Sequence, residues 1–368
     1  MIVSTLPQSP GLWLLAWRRL RADRLAMFSL AVVAAFLMLI SLSATGLIAA
    51  DWDREVGVNY APPSFAGPDA QSTANDAAKD DTAVPENPLD PLNDVLRELR
   101  AQRGDAAASA PEDYGIVDPI GPEINQLRAQ LAKEGRGTAA VRATTLPFGA
   151  DKWGHDIVKK TIKGSETSIV VGLVAAFLAT LIGTLLGAFA GYFGRVVDDI
   201  LNWVYSVFTA VPNLLLIMAV AAVLQHKGVA TIVLILALTG WTGTFRLVRA
   251  EYIKHKSREY VMAADAIGAS HWRRMFVHIF PNVSHVALVQ MSILSVGFIK
   301  YEVILSFLGF GVPVGVVSWG SMLNEARNEL ILGRWWQLTA ASIAMAVLVT
   351  AFSLFTDALR DALDPKLK

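Results

Sequence analysis

The stretch RAEYIKHKSREYVMAADAIGASHWRRMFVHIFP, residues 249–281, is where polar residues take over an otherwise apolar second half of the chain. Within it Tyr260, Val261, Ala264 and Ile267 recur at helical spacing, and Met275, Phe276 and Ile279 repeat the pattern after Gly268. Gly268 sits where a helix C-terminus favours a residue tolerant of positive φ, and Pro281 is expected to stop what precedes it. Two short amphipathic helices between long apolar runs read as a loop joining two membrane spans.

Composition supports that reading. Of 368 residues, 54% are hydrophobic and 17% charged, and the mean hydropathy is +0.44. This is well above soluble-domain values and points to a membrane protein. The formal net charge is zero, so no global field argues for nucleic acid. With no cysteine, disulfides, thiolate catalysis and cysteine-bound zinc are excluded.

Going outward in chain order, residues 1–25 form a cytoplasmic N-terminus carrying Arg18, Arg19, Arg21 and Arg24, and residues 26–50 form the first transmembrane helix. That run is too long for the ~7–15-residue apolar core of a cleaved signal peptide and long enough for a hydrocarbon layer of roughly 30 Å. Residues 51–146 are rich in Asp, Ala, Pro and Asn and read as a large extracytoplasmic insert, with helical spacing at Leu92, Val95, Leu96 and Leu99 and again at Ile124, Leu127 and Leu131. These are either surface helices or a docking surface for a soluble partner. Residues 147–168 look like a short interfacial helix, apolar at Trp153, Ile157 and Ile162 and basic at Lys159, Lys160 and Lys163.

Five further crossings make residues 147–368 a five-helix core: 169–191, with a G-x-x-x-G at Gly183 and Gly187; 198–224, interrupted by Pro212 and Asn213; 229–245; 283–308; and 337–355. Six spans with both ends inside can be tested by charge. The inner segments hold fifteen Lys and Arg against three in the two short outer connections, which places 249–281 in the cytoplasm.

At that point a family resemblance appears. Residues 260–282, YVMAADAIGASHWRRMFVHIFPN, resemble the E-A-A loop of ABC importer permeases, with Ala263, Ala264, Gly268 and Pro281 at the matching spacings and Met262 in the glutamate position. FGADKWGHDI (148–157), EVILSFLGFG (302–311), SWGSML (318–323) and DALRDALDP (357–365) resemble further segments of the oligopeptide/dipeptide branch, C-type subunit, in the right order, with His155 where arginine is usual. Several ordered motifs are a far more specific signal than one glycine pattern. The resemblance implies an all-α type I importer permease fold with six transmembrane helices, in the bacterial inner membrane with both termini cytoplasmic.

It also implies a role. The loop would be a coupling helix seated in an ATPase subunit. Tyr260, Val261, Ala263, Ala264, Gly268, Arg273, Arg274 and Pro281 would be its coupling residues, with Tyr260 and Val261 filling a shallow pocket and the arginines meeting acidic groups. The implied partners are a second permease chain, two ATPase subunits, an extracytoplasmic solute-binding protein and the bilayer, with cargo a peptide or peptide-like solute. This chain has no G-x-x-x-x-G-K-[ST], so it binds no cofactor of its own by that route, and ATP and Mg would belong to the partner ATPase. Pro212, Asn213 and Glu302 are candidate translocation-path residues; Glu302 alternatively pairs with Lys300 or Arg327. In relatives the 309–319 segment is an outer gate, which nominates Phe310, Val312 and Trp319.

Other classes are weaker. His271, His278 and His285 recur every seven residues, but Pro281 is expected to break the helix between them and no H-E-x-x-H is present, so no metal site is assigned. No G-x-S-x-G supports an intramembrane hydrolase. A ligand-sensing membrane anchor is the remaining alternative.

Overall fold

The structure, a computed structural model, describes residues 12–67, 142–224, 226, 228–313 and 315–363. The expected helical pieces at 92–99 and 124–131 lie outside these. In chain order the helices are α1 (Leu12–Ala22), α2 (Arg24–Ala44), α3 (Ile157–Phe193), α4 (Arg195–Thr209), α5 (Asn213–Leu224), α6 (Val229–Gly240), α7 (Thr242–Lys256), α8 (Glu259–Ala266), a π-helical stretch (Arg273–Ile279) running into α9 (Phe280–Phe307), α10 (Trp319–Ile331) and α11 (Trp336–Leu363). Among the described residues there is no strand, only isolated bridges.

Four helices are long and apolar enough to cross a membrane: α2, α3, the Arg273–Phe307 helix and α11. The pairs α4–α5 and α6–α7 meet the same test jointly but are bent by 87° and 42°, and counting each pair as one span gives six. The first span is shorter than the expected 26–50. It starts at Arg24 behind an Asp23 cap, whose carboxylate accepts from the Leu25 and Ala26 N–H groups, and ends at Ala44, with turns after it. The bend at Pro212 is far sharper than a kink, as expected where proline removes a donor and clashes with the preceding turn.

The spine is α3. Its 37 residues, capped by Asp156 on the Val158 N–H, would extend about 55 Å, well beyond a single hydrocarbon thickness. The surplus is the stretch expected to be a separate interfacial helix, and that expectation is corrected in two respects. Helix α3 is continuous from Ile157, and its lysines do not form a free basic side. Lys159 pairs with Asp51 at 2.8 Å, Lys163 with Glu166 at 2.7 Å, and Lys160 is buried between Asp151 and Glu325, 2.6 Å from each. The Glu325 carboxylate also accepts from Gln337 Nε2 at 3.1 Å, so this clasp ties α3, α10 and α11 together.

Lower down, α3 presents glycines to its neighbours. A Cβ on Gly183, Gly187 or Gly191 would stand 2.5, 2.7 and 2.6 Å from the carbonyl oxygens of Trp241, Phe245 and Arg249, so α7 lies directly against the α3 backbone. Gly172 likewise faces Ile299 of α9. Lipid offers no hydrophobic force between helices, so close backbone packing of this kind supplies the cohesion.

The ends of the insert are fastened together. Residues 51–67 and 142–156 exchange backbone hydrogen bonds, among them Val58 N–H to Ala143, Ser64 N–H to Leu146, Tyr60 N–H to Asp151 and Ala150 N–H to Ala61, around a small core of Ala61, Leu146 and Ala150.

Gly183→Val should destabilise the chain by ~1–3 kcal/mol or more, because the Trp241 backbone must move. Gly297→Ala, where a Cβ meets nothing within 4 Å, should change little. Thermal unfolding of both variants in lipid nanodiscs checks the contrast, and equal effects would refute the close-packing account.

Candidate functional site

The polar stretch folds as a helical hairpin tip. The region expected to be loop from residue 249 instead continues α7 to Lys256, and α8 follows after Ser257 and Arg258. Helix α8 closes with Gly268 at φ +81°: the Gly268 N–H donates to Asp265 and the Ala269 N–H to Ala264, the paired bonds of a Schellman C-cap. This is the turn expected from the glycine.

The predicted inner face is only partly right. Val261 and Ala264 are both buried, and Val261 shares a cluster with Tyr252, Met275, Ile279 and Val283 of the same chain, so Val261 is not offered to a partner's pocket. The exposed side carries Met262, Ala263, Ile267 and Trp272, with Ile267 84% and Trp272 62% exposed. Periodicity put Ile267 with the buried set, but the helix ends at Ala266, and the glycine turn swings it outward. Trp272 is steadied by stacking on Phe276 at 5.3 Å and by an edge contact with Phe189 at 5.8 Å. Tyr260 is partly exposed, its hydroxyl 2.9 Å from His255 Nδ1.

The two arginines separate. Arg273 is exposed. Arg274 is turned inward: it pairs with Asp265 of α8, donates to His271 Nδ1 at 2.9 Å and lies over the Tyr192 ring at 5.9 Å, while the Tyr192 hydroxyl is 3.0 Å from the same histidine nitrogen. This bracket joins the tip to the C-terminal end of α3. It gives the Arg274 guanidinium an acidic partner, Asp265, within the protomer, where the expectation was an acidic group on another subunit. Sequence spacing could not reveal the bracket, because Tyr192 is 79 positions from His271.

Pro281 does not stop the helix. The chain passes through the π-helical stretch Arg273–Ile279, with the Phe280 N–H bonded to the Met275 carbonyl, and Pro281 enters in the first turn of α9. The wider turn absorbs the proline's missing donor and ring clash. His271, His278 and His285 therefore lie on one unbroken helix, yet no group of metal-ligating residues occurs among the described residues.

On the opposite side, Glu302 is fully buried. Its Oε1 accepts from Ser306 Oγ at 2.7 Å, Ser168 and Ser318 lie against the carboxylate, and neither Lys300 nor Arg327 pairs with it. Trp319 is fully buried too: its backbone N–H donates to Ser168 Oγ and its indole to the Thr161 carbonyl. Phe310 is 37% exposed and Val312 packs on the α3–α6 core, so of the three nominated gate residues only Phe310 has substantial free surface. Pro212 and Asn213 are exposed at the 87° bend, with the Asn213 amide 3.4 Å from the Tyr301 hydroxyl. Nearby Asp198 of α4 grips Arg249 of α7 through two bonds of 2.5 and 2.6 Å, a pair the sequence did not single out.

Comparison with known proteins gives consistent matches. The family described as binding-protein-dependent transport system inner membrane component matches residues 183–368, and the N-terminal TM domain of oligopeptide transport permease C matches residues 11–63. The chain is 36% identical over 221 residues to the dipeptide transport system permease protein DppC of Bacillus subtilis, covering 60% of this chain and 69% of that one. It is 37% identical over 221 residues to the oligopeptide transport system permease protein OppC of the same organism, covering 60% and 72%. A solved chain of the MetNI methionine ABC transporter in inward-facing conformations aligns with 56% of this chain and 96% of its own, at 13% identity and a TM-score of 0.45.

Arg274→Ala should free α8 from α3. Asp265 is largely solvated, so the loss should be only ~1 kcal/mol, roughly a fivefold rise in local opening. Amide hydrogen exchange over residues 259–266 measures it, and unchanged exchange would show that the bracket holds nothing.

Proposed function

The chain belongs to the binding-protein-dependent transport system inner membrane component family, a family of multi-pass membrane permeases, and we propose that it is one transmembrane half of an ATP-driven importer of peptides or peptide-like solutes. The oligopeptide and dipeptide permeases among its relatives support that cargo class. In this reading it sits in the inner membrane with both termini and the α7–α9 tip in the cytoplasm, as the arginine and lysine distribution favours. A second permease chain, two ATPase subunits and an extracytoplasmic solute-binding protein complete the machine. ATP and Mg bind the ATPase, and this chain hydrolyses nothing.

One observation carries the proposal. Met262, Ala263, Ile267 and Trp272 stand exposed on a short helix and turn whose reverse side is locked into the protein's own core by Val261 and Met275. An apolar tip with rigid backing is suited to seating in a partner's cleft and passing on its motion, because little of that motion is lost in bending the tip. Gly268 and Pro281 shape the tip, Tyr260 and Arg273 border it, and Arg274 transmits through Tyr192 to α3. Force also reaches α9 through the continuous π-helical junction.

For the path, Pro212 and Asn213 at the α4–α5 bend and the accessible Phe310 are the residues placed to meet a solute. Irregular backbone of that kind within a membrane requires a wet or protein-covered setting. Glu302 and Trp319 hold the outer ends of α9 and α10 in register behind it.

Ile267→Asp should leave membrane insertion and abundance intact while cutting solute-stimulated ATPase activity and recovery of the ATPase subunit by tenfold or more, as loss of a ~2 kcal/mol apolar anchor implies. Affinity purification from membranes followed by ATPase assay decides it. Full recovery with full stimulation would remove the tip from the coupling role.

A further inference from the structure

Around the Lys160 clasp lies a group that the coupling cycle does not use. Glu329 of α10 is 2% exposed, and among the described residues neither carboxylate oxygen has a well-formed hydrogen bond, the Lys152 backbone N–H acting on it only weakly. Its surroundings can be named element by element. Helix α3 contributes Lys160, already 2.6 Å from both Asp151 and Glu325. The 142–156 segment contributes Asp151, the backbone of Lys152, and His155, whose Nδ1 is 2.9 Å from Asp151 Oδ2. The 51–67 segment contributes Tyr60; α10 itself contributes Glu325; and Arg334, whose guanidinium lies over the Trp336 ring, precedes α11. Three carboxyl groups thus converge on one lysine, and the two that touch it are Asp151 and Glu325. A third buried carboxylate beside them would lack a bonded counter-charge among the described residues, which a low-dielectric site does not tolerate. No grouping among the described residues suits a metal ion, so the small cation that fits the orphaned oxygens is a proton.

We infer that Glu329 is a proton-binding site: its carboxyl is neutral when α10 is seated against α3 and the 142–156 segment, and release of the proton to water loosens that seat. The electrostatics agree with the geometry. Burial, with Asp151 and Glu325 adding to it and Lys160 opposing, pushes the Glu329 carboxyl from 4.5 up to about 7. For Asp151, burial also disfavours the charge, but Lys160 and the His155 N–H outweigh it and hold its carboxyl below the usual range, so it remains the ionised partner. The sign follows from linkage. Glu329 binds its proton more tightly folded than unfolded, so its stabilising contribution is complete below 4.5 and is lost as pH rises through about 7.

The site lies where α10, α11 and the base of the insert meet, and it makes that junction responsive to pH. The test uses the full-length chain in lipid nanodiscs with whatever subunits accompany it. Infrared difference spectra of protein carrying isotope-labelled glutamate should show a protonated-carboxyl band that disappears with a midpoint near about 7. The band should be missing in Glu329→Gln, and the fall in unfolding temperature across the same range should flatten in that variant. Histidines also change charge near neutrality, so a His155→Gln background is run in parallel and should retain the band. If E329Q fails to assemble, Glu329→Asp, which keeps a carboxyl but carries no labelled glutamate at this position, should lose the labelled band. Absence of a titrating band in the wild type, or an unchanged band in the Glu329 variants, would overturn the assignment.

Discussion

The arrangement depends on how closely other helices can approach α3. At Gly183, Gly187 and Gly191 the α3 backbone is bare, and α7 lies against it carbonyl to Cα. At Gly172 the same is true of α9. In a bilayer the lipid is as apolar as the side chains, so van der Waals contact at short range has to supply what hydrophobic exclusion supplies in water. Helices α7 and α9 are also the two that lead into and out of the α8 tip. Fixing both to one spine means the ends of the tip do not move independently.

The tip divides labour between its two faces. Val261, Met275 and Ile279 close it against Tyr252 and Val283, while Met262, Ile267 and Trp272 remain outside. Arg274 belongs to neither face; it is the tie between α8 and Tyr192. The π-helical stretch beside it lets a proline sit near the start of a long helix without breaking it, so tip and span remain one body.

Much of this was legible in residue order. The apolar runs gave the spans, the Gly183 and Gly187 spacing marked a packing face, and Gly268 marked a turn that does have positive φ. What was misread depended on partners distant in sequence or on local exceptions. Lys160 looked like one of three lysines on a solvated face because its partner Glu325 is 165 positions away. Pro281 looked like a terminator because helix rules assume α geometry, and a π turn suspends them. Ile267 matched the buried period by count, yet the period ended one residue earlier. Arg274 and Arg273 are adjacent and identical in type, and only the position of Tyr192 separates their roles. Glu302 was visible as a charge in a span, but the serines that enclose it come from three separate segments.

The fastened base of the insert has a mechanical consequence. The strands of chain entering and leaving at residues 67 and 142 run side by side, cross-linked by backbone bonds at Val58, Ser64 and Ala150. A pull on whatever lies between them meets these bonds first, and several of them share the load. The strain is therefore contained at the base and does not tug α2 away from α3, so the long excursion is insulated from the membrane helices on either side of it.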